Sequence, residues 1–245
     1  MKRNLATLAV AVTFALSAQA ASVTFTATGT LGGNPEDVSA TVTTGAGFIT
    51  VMLTNLEANP KDVIQSISDF FVTVSGVDTL TGTTSTPTGS LINIAANGSV
   101  SNSAAAVAPW GVSISGTTAT STTFLLNDLI GPQLQTIIGP AGAGGVYTNA
   151  NGSIAGNGPH NPFLDGSATF TINSATVTDA TTISAATFSF GTTSGNNLTG
   201  TPGGGGGGGG GTVPEPGSIG LMVVGALMLF GGRARHNRRR ERREY

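Results

Sequence analysis

From Ser22 onward the chain is built of short runs in which apolar and hydroxyl-bearing residues alternate. In SVTFTATGT, Val23, Phe25 and Ala27 point one way and Thr24, Thr26 and Thr28 the other. The same period of two groups Phe70, Val72 and Val74 in DFFVTVSGV, and Trp110, Val112 and Ile114 in WGVSISG. It groups Phe170 and Ile172 in SATFTIN, and Ala186, Phe188 and Phe190 in AATFSFG. Such alternation, rich in β-branched and aromatic residues, predicts strands with one buried face. GFITVMLTN is apolar on both faces, which places it centrally in a sheet. Asn97-Gly98, Asn151-Gly152 and Asp165-Gly166 tolerate positive φ and suit tight turns between strands. The pattern predicts an all-β fold, a two-layer antiparallel β-sandwich of jelly-roll-like form. Two short helical insertions are expected. In NPKDVIQSIS, Asn59 caps, Pro60 takes the first helical position, and Val63, Ile64 and Ile67 share a side. In GPQLQTIIG, Pro132 opens a turn or two, with Leu134, Ile137 and Ile138 facing inward.

The ends of the chain differ from this body. Lys2 and Arg3 precede an apolar run from Leu5 to Leu16, and Ala18-Gln19-Ala20 forms an A-x-A site. This is the layout of a secretory signal peptide over residues 1–20, with Ala18 and Ala20 as the signal peptidase site and Ala21 as the mature start. The body, residues 21–200, is long enough to enclose one substantial core. With no cysteine in the chain, that core must hold without disulfides, and thiol catalysis and thiolate metal sites are excluded.

Removing the ends also changes the charge. The body keeps Lys61 alone against nine acids (Glu36, Asp37, Glu57, Asp62, Asp69, Asp78, Asp128, Asp165 and Asp179), a net of −8. Without a basic patch, nucleic acid and anionic lipid are not expected partners. Nothing in the body asks to be called catalytic. His160 is its only histidine and lies in a glycine-rich loop, Ala141 to Gly166; the acids form no calcium-loop pattern; and no G-x-S-x-G elbow occurs. No catalytic residue, metal site or cofactor is therefore assigned. Threonine and serine stand on the outward positions where charge is common. That is either plain adaptation to the cell exterior or a substrate for O-glycosylation. Asn-x-Ser/Thr sequons occur at Asn97, Asn151 and Asn197.

Residues 201–212 form a linker containing nine glycines, Gly203 to Gly211. A run of this kind is an unstructured tether of about 15–18 Å. Residues 213–245 then present three parts in order. Pro214, Glu215 and Pro216 form a stiff, extended motif. An apolar segment follows, carrying Ile219, Leu221, Met222, Val223, Val224, Leu227, Leu229 and Phe230. As a helix from Ser218 to Gly232 it would reach about 22 Å, against a bilayer core of about 30 Å, so it is a marginal transmembrane span. Last come Arg233, Arg235, Arg238, Arg239, Arg240, Arg242 and Arg243 against Glu241 and Glu244, a net of +5, which orients this end to the cytoplasm. A short span behind a stiff, accessible peptide suits a temporary hold followed by cutting.

VPEPGSIGLMVVGALMLFGGRARHNRRRERR resembles the C-terminal sorting signal of PEP-CTERM proteins of Gram-negative bacteria, often makers of exopolysaccharide. The resemblance covers roughly the last thirty residues. It implies recognition at Pro214, Glu215 and Pro216 by exosortase, a membrane-embedded transpeptidase-like cysteine enzyme that cuts near the motif. The chain is then a substrate of signal peptidase and exosortase, held transiently in the inner membrane and passed on to the cell surface or extracellular matrix. The threonine-rich body is also similar to the exported parts of such proteins, as in VIQSISDFFVTVSG and NPFLDGSATFTI, though this names no activity.

Three functions follow as expectations. The leading one is a non-enzymatic exported surface protein. The second is a polysaccharide-binding module, with Trp110, Tyr147 and Phe163 as candidate stacking residues and exopolysaccharide as partner. The third, a glycosidase or esterase, requires two carboxylates about 5–10 Å apart in a cleft.

Overall fold

The computed structural model describes residues 20–129 and 135–203. The signal peptide up to Gln19, the proposed turn at Pro132 with Leu134, and the linker and tail beyond Gly203 lie outside the described residues. Among the described residues no helix is long and apolar enough to cross a membrane.

The fold is all-β. The strands are β1 (Ser22–Leu31), β2 (Asn34–Gly45), β3 (Phe48–Asn55), β4 (Ile67–Ser75), β5 (Thr84–Ser85), β6 (Leu91–Ile94), β7 (Val100–Asn102) and β8 (Trp110–Thr117). They continue with β9 (Ser121–Asn127), β10 (Ile137–Ile138), β11 (Phe163–Asp165), β12 (Ser167–Asn173), β13 (Ile183–Phe190), β14 (Asn197–Thr199) and β15 (Thr201–Pro202). The first sheet runs in the order β12-β3-β2-β1-β15 and is antiparallel throughout. The second runs β5-β8-β9-β4-β10-β11-β6-β7, with β13 also on β4 and β14 on β13. Its one parallel pair is β10 with β11.

Alternation in the sequence becomes burial in the fold. Phe25, Val38, Ala40, Val42, Ile49, Val51, Leu53, Phe170 and Ile172 of the first sheet meet Phe70, Val72, Val74, Phe124, Leu126 and Phe188 of the second in one core. The arrangement is consistent with a β-sandwich. The ring of Trp110 lies 4.6 Å from that of Phe170, joining the two sheets, and Phe70 meets Phe188 edge-on at 5.2 Å. A smaller cluster of Val63, Ile92, Ile94, Ile138, Tyr147, Ile154 and Phe163 sits under the long loop. Asn55, at the end of β3, ties the pieces together: its Nδ2 donates to the carbonyls of Gln65 (2.7 Å) and Ile137 (3.0 Å), and its Oδ1 accepts from the Glu57 N–H (3.1 Å).

Several expectations need correcting. GFITVMLTN does become an inner strand, between β12 and β2. Its second apolar face is uncovered, however, with Phe48 and Met52 exposed, because a two-layer fold covers one face of each sheet. Ile114 is exposed too: β5 flanks β8 only at Trp110 and Gly111, so the rest of β8 runs on past its neighbour. The helical insertion at NPKDVIQSIS is a single 3-10 turn, Val63–Gln65, capped by Asp62 rather than Asn59. The cap is a capping box: Asp62 Oδ1 accepts from the Ile64 N–H, while Gln65 Oε1 accepts from the N–H groups of Lys61 and Asp62. Ile137 and Ile138 are strand, not helix, pairing with β4 and β11. Asp165-Gly166 closes no hairpin. Gly166, at φ 66°, turns the chain from β11 in one sheet to β12 in the other. Asn97-Gly98 does turn β6 into β7, with Gly98 at φ 78°.

The outer faces carry the hydroxyls. One row, Ser167, Thr54, Ser39, Thr26 and Thr201, crosses all five strands of the first sheet. Neighbouring hydroxyls bond to each other, Ser22 with Thr43 at 3.0 Å and Thr24 with Thr41 at 3.1 Å. Apart from Asp37, opposite Thr28, these rows are solvated by hydroxyls rather than by charge.

Candidate functional site

Of the sorting-signal residues, Pro214, Glu215, Pro216, the apolar segment from Ile219 to Phe230 and the arginines from Arg233 to Arg243 all lie outside the described residues, as does Ala18. Ala20 is exposed and stands two residues before Ser22, the start of β1. Ala21 is already held: its N–H reaches Thr44 Oγ1 at 3.3 Å, and its carbonyl accepts from the Thr44 N–H at 2.9 Å.

The three aromatic residues expected to stack on sugars are all interior. Trp110, Tyr147 and Phe163 are 0 %, 2 % and 0 % exposed, so none offers a ring to a ligand. Tyr147 donates its hydroxyl to the Gly139 carbonyl at 2.8 Å, and burial pushes its pKa well above the usual range. His160 is half-buried and its pKa is lowered by that burial. No group of three or more His, Cys, Asp or Glu side chains converges among the described residues.

Four carboxyls sit in unusual surroundings. Glu36 lies on the core face of β2 in line with Val38, Ala40 and Val42; it is 2 % exposed, and neither carboxyl oxygen has a hydrogen-bond partner. Desolvation, then the charge of Glu57, raises its pKa to about 8. Glu57 is itself raised, by desolvation first and then by Asp37, with Lys61 opposing. Asp69 and Asp128 are both buried where β4 meets the end of β9. Desolvation lifts Asp69 to about 6 against a hydrogen bond from Ser189. It lifts Asp128 to about 7 against a backbone hydrogen bond from Gln135, with the charge of Asp69 adding to the rise. Glu36, Asp69 and Asp128 are buried, whereas Glu57 is half-exposed. None of them lines the open groove described next.

That groove, of about 270 Å³, runs over the outer face of the second sheet. Phe71 and Thr73 of β4, Thr123 of β9, Ala185 and Thr187 of β13, and Asn197 of β14 line it. The registers Phe71 with Thr187 and Thr73 with Thr123 place these side chains in adjacent rows. Thr73 and Thr123 share a 2.9 Å hydroxyl bond. Exposed Ala185 and its neighbour Ala186, whose side chain belongs to the core, complete the lining. The outward aromatic is thus Phe71 and none of Trp110, Tyr147 or Phe163. The signal was present in the doubled Phe70-Phe71: in a strand of period two, adjacent aromatics face opposite sides, so one of them must look outward.

Comparison of the chain with protein-family models, with curated proteins and with solved structures returned no match.

Proposed function

We propose that this chain is an exported, non-enzymatic surface or extracellular-matrix protein of jelly-roll-like sandwich form, carried by its C-terminal tail through PEP-CTERM sorting and exosortase processing. The observation that carries the reading is the order of parts in residues 213–245: Pro214-Glu215-Pro216, one short apolar segment, then seven arginines. Two features of the body support it. Ala21, the residue a signal peptidase cut after Ala20 would leave first, is hydrogen-bonded to Thr44 beside β1. At the other end β15 closes onto β1 through Phe25 with Pro202 and Thr26 with Thr201, and the Gly203 N–H donates to the Thr24 carbonyl at 2.7 Å. Thr201 and Pro202 thus belong to the first sheet. A cut near Pro214-Glu215-Pro216 would remove no residue of the core described above.

The test is the intact mass of the protein recovered from its host, with and without alanines at Pro214, Glu215 and Pro216. The reading expects a wild-type product that begins at Ala21 and lacks the arginine cluster, and a variant that keeps the cluster and stays with the membrane. A wild-type product that retains Arg233 to Arg243 at steady state would reject it.

A further inference from the structure

We propose that the groove on the second sheet binds a segment of a neutral polysaccharide, with sugar rings lying over Phe71. The inference is independent of how the tail is processed. It rests on the chemistry of the lining. Phe71 is a half-buried aromatic on the outward side of β4, flanked by hydroxyls at Thr73, Thr123 and Thr187 and by the exposed amide of Asn197. A pyranose ring has the matching character, an apolar face edged by hydroxyls. The edge can exchange hydrogen bonds with the threonines and the amide, and the face can cover the ring.

Charge narrows the ligand. The lining has no acid and no base, so it supplies neither a cation site nor a partner for phosphate, sulfate or uronate. The body around it carries Lys61 as its only base against nine acids, which repels polyanions at longer range. Shape narrows it further. Small-ligand sites enclose most of their ligand, whereas this trough is open and shallow, suited to a length of polymer lying across the strands. Asn197 begins an Asn-Leu-Thr sequon at the rim, so a glycan attached to the chain itself is the competing occupant.

Affinity electrophoresis of the full-length chain in detergent, through native gels containing hydroxyethylcellulose, dextran or soluble starch, tests this. Carboxymethylcellulose serves as the anionic counterpart. Retardation is expected in at least one neutral gel and not in the anionic one. Phe71→Thr is expected to weaken it at least tenfold and Phe71→Tyr to preserve it. Ala185→Phe fills the trough without opening a cavity in the core and should abolish retardation while leaving the circular dichroism spectrum unchanged. No retardation in any neutral gel overturns the proposal. So does retardation that survives Ala185→Phe, equal retardation by the anionic polymer, or an intact mass showing a glycan already on Asn197.

Discussion

Replacing Glu36 with glutamine separates the cost of a buried charge from every other feature of β2. The carboxyl is on the core side, 2 % exposed and without a hydrogen-bond partner, and its pKa stands at about 8 rather than 4.5. A raised folded-state pKa means that its contribution to stability is fully present below the unfolded value and is lost as pH rises through about 8. A rise of that size corresponds to about 5 kcal/mol between the two ionisation states. Screening at the end of the strand reduces the usable effect to about 2–3 kcal/mol. Glutamine is nearly isosteric with the neutral acid and cannot ionise. Glu36→Gln should therefore match wild type at pH 5 and exceed it at pH 9.5 by about 2–3 kcal/mol, or roughly 5–10 °C in Tm. Urea titrations and thermal melts at both pH values measure it. An equal gain at both pH values, or none at pH 9.5, would refute the argument, because the effect must appear only where the wild-type carboxyl is charged.

Three further outcomes are expected. Asp69 and Asp128, raised to about 6 and about 7, act in the same direction as Glu36, so the wild-type Tm should fall steadily from pH 5 to pH 8 in a scanning calorimeter. Asn55→Ala strips partners from two carbonyls, of Gln65 and Ile137, and from the Glu57 N–H; it should cost about 2–4 kcal/mol in chemical denaturation. Gly98→Ala combines φ of 78° with a Cβ set against the Tyr147 carbonyl oxygen, and in urea titration should lower the free energy of unfolding by more than the roughly 1 kcal/mol typical of a helical glycine exchange.

The parts of the fold legible in the sequence were those where burial forces alternation. Phe70, Val72 and Val74 read correctly because a strand covered on one side admits only a period of two, and Phe170 with Ile172 and Ala186 with Phe188 read correctly for the same reason. Ile137 and Ile138 misled because two adjacent apolar residues carry no period, and their pairing with β4 and β11 depends on segments distant in the chain. Asp62 took the cap from Asn59 because Gln65 stands three residues after it and can complete the capping box, a spacing visible in Asp62-Val63-Ile64-Gln65. The burial of Glu36 follows the alternation of β2, but its loss of partners depends on what packs above it, which no local pattern encodes. The groove was half legible: doubled phenylalanine announced an outward ring, while the trough beside it exists only once β13 is laid against β4.

The closure of β15 on β1 also bears on how the body is made. Thr26 waits for Thr201, and Thr44 Oγ1 donates to the Thr181 carbonyl 137 positions further on. Contacts of such separation form late, because the loop must be closed before any contact compensates for it. The β1-β2-β3 meander meets most of its inner-face partners, Phe70, Val72, Val74, Phe124 and Leu126, within the first 127 residues, but its two edge strands, β12 and β15, come from the far end of the body. A polypeptide wired this way completes its first sheet only after residue 202 has been synthesised.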